Sequence, residues 1–250
     1  MNRRARIAAL TAAGIVLLGA TAAVAGPVIY RDFIAAPPAE IPKLTADEGA
    51  ISAAPDGAEA GEGDASVGSA DAATAVGDLT GIWAVAAGSE AGYRVDEVLN
   101  GTDVTVTGRT SGVTGTVSVE GLSVTDATIE IDVASIATGN GNRDAYFRDQ
   151  AMRVAQHPTA TFALSAPITA DEAPATGEAV TRTVSGELTL AGVTRAVTFD
   201  AQLRIDGDGV RIAGQVPIVF DDYGVQAPDL GFVKVEPQGF VEFDLVLQRS

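Results

Sequence analysis

The chain has 250 residues, 46% of them hydrophobic and only 5% aromatic, with no cysteine, which suits an aliphatic core and excludes a disulfide framework. Sixteen Lys and Arg against 33 Asp and Glu leave a net charge of -17, which repels phosphate backbones. Nucleic acid is therefore not an expected partner.

Arg3, Arg4 and Arg6 precede an uncharged run from Ile7 to Tyr30. As a helix this run reaches about 36 Å, enough to cross a hydrocarbon core of about 30 Å. Basic residues before it and Asp32 after it place the start inside the cell and the remainder outside by the positive-inside rule. Residues 1–34 thus read as a single-pass cell-membrane anchor. The competing reading is a signal peptide cleaved after Ala23-Val24-Ala25, which leaves a secreted protein beginning at Gly26. Both put the remainder on the extracytoplasmic side. Residues 35–79 are rich in Ala, Gly, Pro, Ser and acid, as in "AAPDGAEAGEGDASVGSADAATAVGD", and offer few large apolar groups to offset the entropy of ordering. They read as a disordered linker.

From position 80 to 250 the pattern has period two. In "TIEIDV", Ile129, Ile131 and Val133 face one way while Thr128, Glu130 and Asp132 face the other. In "VTFDAQLRI", Val197, Phe199, Ala201, Leu203 and Ile205 alternate with Thr198, Asp200, Gln202 and Arg204. The same alternation runs through "TVSVE", "VSGELTL", "GVRIAGQV" and "FVEFDLVLQ", and "DGDG" at 206–209 marks a hairpin turn. These stretches predict an all-β, antiparallel meander, closed as a barrel or folded as a sandwich.

One stretch breaks the pattern: "SIATGNGNRDAYFRDQAM", 135–152, reads as a short helix. Asn142 is a candidate cap, Asp144 suits the first turn, and Phe147 with Ala151 makes an i, i+4 apolar pair. Other chemical candidates carry little. His157 is the single histidine, so a zinc site would need carboxylates alone to complete it. Asn140, Asn142 and Asp144 have the alternate spacing that opens a calcium loop, without the later glycine and bidentate acid. Asp221-Asp222 and Asp206/Asp208 fall in predicted turns, where Asp satisfies backbone donors. There is no Gly-x-Ser-x-Gly elbow and no phosphate loop. No catalytic residue, metal site or cofactor is expected, and the chain does not read as an enzyme.

The blocks "GIWAVAAGSEAGYRVDE", "SIATGNGNRDAYFRDQAM", "HPTATFAL", "VSGELTLAGVTRAVTFDAQL" and "DDYGVQAP" follow one another in the order and spacing of the YceI-like family, across essentially all of 81–250. The chain resembles that family of lipocalin-like, polyisoprenoid-binding proteins, and "VIYRDFIAAPP" resembles its anchored actinobacterial members. The resemblance implies an up-and-down lipocalin-like β-barrel with one short helical insertion, preceded by the transmembrane helix and linker. It also implies that Arg143, Asp144 and Phe147 belong to a short helical segment packed by the barrel; such a segment is either a plug or gate for one end or a connector that simply covers the core. The sequence departs from the family at Ala191, where many members carry a histidine before the Gly192-Val193-Thr194 turn.

A barrel of about eight strands is just wide enough for one slender ligand. The inward positions are apolar: Val104, Val106, Val117, Val119, Ile129, Ile131, Phe162, Leu188, Leu190, Val197, Phe199, Ile212, Phe220, Phe243 and Leu245. Alternation does not distinguish a hollow interior from a filled one. The resemblance implies a long isoprenoid or similar amphiphilic lipid threaded through the barrel, with Trp83, Ile131, Phe162, Leu188, Val197, Phe199, Ala201, Phe220 and Phe243 as candidate ligand-binding residues. The expected function is carriage or sequestration of that lipid, and the alternative is an envelope scaffold or partner-binding domain with a filled core. Register is testable directly. Phe199→Asp strands a charge in the core and is expected to cost several kcal/mol in urea melts, whereas Asp200→Asn changes stability by less than about 0.5 kcal/mol. Equal effects contradict the assigned faces.

Overall fold

The computed structural model describes residues 37–44 and 78–250. The expected transmembrane segment and most of the expected linker lie outside the described residues. Among the described residues, no helix is long and apolar enough to cross a membrane.

Eleven antiparallel strands form one sheet: β1 (Gly81–Val85), β2 (Glu90–Leu99), β3 (Thr102–Thr110), β4 (Val113–Glu120), β5 (Ser123–Asp132), β6 (Thr159–Leu164), β7 (Ile168–Thr169), β8 (Ala179–Leu190), β9 (Val193–Asp206), β10 (Gly209–Val219) and β11 (Val233–Arg249). Their order is β1-β4-β5-β6-β8-β9-β10-β11-β2-β3, and β11 also pairs with β1. Eight strands, β1, β4, β5, β6, β8, β9, β10 and β11, therefore make a closed circuit, which leaves β3 of the β2–β3 hairpin as an edge strand outside it.

The sequential order of a plain meander breaks at one place. β11 is 17 residues long, and one of its edges serves two partners. Its last residues pair with β1, from Leu247↔Val85 to Arg249↔Trp83, while its earlier residues pair with β2 from Val233↔Leu99 to Asp244↔Glu90. The β2–β3 hairpin thereby extends the wall at one end, and an isolated bridge, Arg109↔Ala137, ties its free edge to the helical interlude. A register shift between Val235 and Gly239, which contains Pro237, bends β11 at that same end.

The helical interlude supplies a cap for this end. A 3-10 turn, Val133–Ser135, leads to α1 (Gly141–Tyr146), which continues as a π-type turn over Phe147–Ala151. Asn140, rather than Asn142, caps α1: it is extended (φ -119°, ψ 104°), and its side-chain oxygen accepts from the N–H groups of Asn142 and Arg143. Both asparagines suit the role chemically, and the backbone leaves its extended path one residue after Asn140. Asp144 is buried and accepts from the Thr138 N–H at 2.9 Å and the Thr138 hydroxyl at 2.7 Å. Its carboxylate fixes the approach to α1.

Beside this cap, β8 and β9 join through Ala191 (φ 49°) and Gly192 (φ 82°), the paired positive φ values of a two-residue hairpin turn, and the Ala191 carbonyl accepts from Arg153. A Cβ at Gly192 would fall 2.4 Å from the His157 ring, so the single histidine packs against this turn.

Two apolar clusters fill much of the barrel. One, around Trp83, Val117, Ile205, Leu245 and Leu247, occupies the end where β1 closes on β11. The other, around Val133, Ile136, Met152, Leu188, Phe199 and Tyr223, lies toward the helical cap. On the outer wall, residues 37–44 run across the sheet as a strap. The Ala39 N–H donates to the Thr107 hydroxyl at 3.0 Å, the Ala39 carbonyl accepts from Arg94, and the Leu44 N–H donates to Gln202 Oε1 at 2.8 Å. Leu44 is itself buried.

Candidate functional site

A cavity of about 970 Å³ opens at the capped end. This lies at the upper end of the range of about 300–1,000 Å³ found for small-molecule sites. Its walls come from β2 and β3 (Tyr93, Val95, Leu99, Val106), from β5, β6 and β8 (Ile131, Ala160, Leu190), and from β10 and β11 (Ile218, Val235, Val241). Phe147, Ala151 and Met152 roof it on the helical side. Phe220, Tyr223, Val225, Leu230 and Phe232, from the connection between β10 and β11, form the opposite lip.

The cavity stops where aromatic rings cross the barrel. Phe162 meets Phe199 edge-on at 5.6 Å between centroids, and Phe199 meets Phe243 edge-on at 5.8 Å. Glycines in the wall make room for them: a Cβ at Gly186 would lie 2.3 Å from the Phe162 ring, and one at Gly214 would lie 2.8 Å from Phe243. Phe162, Leu188 and Phe243 each sit one inward-facing position beyond a cavity-lining residue on the same strand, namely Ala160, Leu190 and Val241. The interior is thus hollow at the capped end and filled below it.

Of the residues expected to bind ligand, Ile131 and Phe220 line the cavity. Trp83, Phe162, Leu188, Val197, Phe199, Ala201 and Phe243 do not. Phe162, Leu188, Phe199, Ala201 and Phe243 belong to the packed layer beneath, and Val197 packs against the same cluster. Trp83 is at the far end, where its indole N–H donates to the Leu79 carbonyl at 3.0 Å and the Arg249 guanidinium lies 5.1 Å from its ring.

The three charged side chains that line the cavity, Arg94, Glu97 and Arg143, are all in ion pairs. The side chain of Glu97, only 6% exposed, accepts from Arg143 of α1 at 2.9 Å, which ties the helix to β2. Tyr93 stacks on Phe147 at 4.7 Å and 21°. Burial raises the Tyr93 hydroxyl well above the usual tyrosine range; the Arg143 charge opposes this, and the Asp144 and Glu97 carboxylates add to it. Burial also raises Tyr223, with the Asp222 charge acting in the same direction. Both tyrosines remain neutral at physiological pH. Arg94, on the cavity wall, is bound to Glu242 at 2.6 Å, and Glu242 also accepts from Arg109 and Gln215. An apolar lining of this kind suits a hydrocarbon ligand.

Alternation did not single out Glu97, Arg143, Tyr93 or Glu242. Glu97 occupies an inward position of β2 between Val95 and Leu99, an irregularity the sequence shows. Its partner lies 46 residues away and is fixed only by the fold.

Residues 83–247 match the YceI-like domain. The chain belongs to the YceI-like family. No curated protein matches it. Among solved structures, it is similar to a polyisoprenoid-binding domain from Saccharophagus degradans implicated in plant cell wall breakdown, with 22% identity and a TM-score of 0.57 over 68% of this chain and 99% of that one. It is also similar to BcnA of Burkholderia cenocepacia, with 22% identity and a TM-score of 0.51 over 63% of this chain and 95% of that one. At these identities the likeness establishes the shared YceI-like barrel with its short helix.

The ion pair at the cavity roof gives a direct test. Arg143→Met leaves the Glu97 carboxylate buried without its partner, whereas Arg143→Met with Glu97→Leu removes both charges. In urea melts the single variant is expected to be less stable than the double variant, a sign of coupling that independent sites do not show.

Proposed function

We propose that this YceI-like protein binds a long apolar ligand, a polyisoprenoid or similar amphiphilic lipid, in the cavity at the capped end of its barrel, for carriage or sequestration. The observation that carries the reading is the cavity itself: about 970 Å³ of space under α1, walled by aliphatic and aromatic side chains, with its Glu97 and Arg143 charges paired. A polyprenyl chain gains by leaving water for such a surface at about 25 cal/mol per Å² of apolar area buried. The similar Saccharophagus degradans domain is described as polyisoprenoid-binding, which supports the same ligand class here.

The apolar run from Ile7 to Tyr30 and its basic flank support a membrane-tethered barrel on the extracytoplasmic side, close to the source of such a ligand. Amino-terminal sequencing of protein from its host distinguishes this from secretion, since a chain beginning at Gly26 has lost the anchor. Binding rather than catalysis is the reading, since the titratable groups of the cavity serve ion pairs and packing.

Ala160 and Ala201 are buried in the same apolar cluster, but of the two only Ala160 lines the cavity. Ala160→Trp is expected to fill ligand space, so that the protein keeps its melting temperature and loses co-purifying lipid in native mass spectrometry. Ala201→Trp overpacks and is expected to cost about 1–3 kcal/mol. Wild-type protein from its host that retains no lipid contradicts the carrier reading.

A further inference from the structure

We propose that the barrel docks mouth-first on a phospholipid bilayer, inserting the Leu230–Phe232 tip of the connection between β10 and β11. Two independent features of the molecule meet at this end.

The first is the tip. Leu230 and Phe232 are 59% and 57% exposed, the two most exposed large apolar side chains among the described residues. Both also line the cavity, so the apolar surface is continuous from the solvent-facing tip to the interior. The tip is built rather than loose. The Leu230 N–H donates to the Val233 carbonyl at 2.8 Å, and Asp229 Oδ1 accepts from the Gly231 N–H at 3.2 Å. Gly231 takes a φ of 79°, which an L side chain rarely adopts. A tight turn that holds two large apolar groups in water at a cavity mouth suits the interfacial region of a bilayer, where such groups are buried and Asp229 stays at headgroup level.

The second is the strap. Its earlier end binds Arg94, a residue of the cavity wall, while its later end binds Gln202, four residues before the far-end hairpin at Asp206–Gly209. The strap therefore begins, at Pro37, on the cavity side of the barrel. Only residues 31–36 separate the strap from the apolar run that ends at Tyr30. Six residues reach about 20 Å at full extension. A membrane segment at 7–30 consequently holds the mouth, not the Trp83 end, against the surface. Between the strap's two attachment points the outward-facing Ala213 and Glu242 are fully buried. Glu242 gathers Arg94, Arg109 and Gln215, so the strap is seated on a fixed polar platform.

The docking goes beyond the lipid-binding reading, and its test uses no ligand. The chain has no cysteine, so single labelling sites are available. Full-length protein carrying Lys234→Cys, beside the tip, or Asp208→Cys, at the opposite end, is labelled with an environment-sensitive fluorophore and reconstituted in phosphatidylcholine vesicles. Neutral lipid is chosen because the net charge of -17 opposes anionic surfaces. The label at 234 is expected to shift to the blue and to be quenched by lipids with nitroxides near the headgroup, while the label at 208 reports water. Adding Leu230→Ser and Phe232→Ser is expected to abolish the quenching at 234. Water-like emission at both sites, quenching at 208 instead, or quenching at 234 that survives the serine substitutions overturns the proposal.

Discussion

The edge-to-face row of Phe162, Phe199 and Phe243 is the constraint on which the interior of this barrel depends. Three rings spanning the space between β6, β9 and β11 hold opposite walls at a fixed separation and close the interior to anything below them. The row exists because the wall yields to it: Gly186 and Gly214 face Phe162 and Phe243 where any side chain would collide. Close packing below that row gives the barrel a firm base. Above it, the inward side chains are not large enough to meet in the middle, and space remains under the cap.

That space persists because its roof is pinned by local chemistry rather than by filling. Asn140 and Asp144 fix the start of α1, Arg143 reaches Glu97 on β2, and Phe147 stacks on Tyr93. Each link joins the helical interlude to the wall at the cavity rim. The interlude thus acts as a braced cover. The bend of β11 between Val235 and Gly239 and the β2–β3 hairpin carry the wall up to meet it.

Much of this architecture was legible in the sequence. Period-two alternation identified β4, β5, β8, β9, β10 and β11, since one face of each strand must avoid water, and the break at 135–152 marked the helical interlude. Alternation is blind, however, to what lies across the barrel. Phe162 and Ala160 are both inward on β6, yet one fills and the other lines a void, a difference set by Gly186 on the neighbouring strand and by the cap. Glu242 shows the opposite failure. It alternates outward between Val241 and Phe243 and reads as solvated, but it is fully buried beside Arg94, Arg109 and Gln215. Residues 37–44 look like the rest of the Ala- and Pro-rich linker, and their place on the wall depends on backbone hydrogen bonds to Thr107, Arg94 and Gln202 that no composition encodes.

The central claim is that the barrel is open at the capped end and closed by the aromatic row. A crystal structure of the protein purified from its own host, without delipidation, tests it most directly. The account predicts elongated density that enters between Phe147 and Phe232, passes Ile131 and Ala160, and ends at Phe162 and Phe243. Density that continues past those rings toward Trp83, or a cavity whose walls have collapsed into contact, would contradict it.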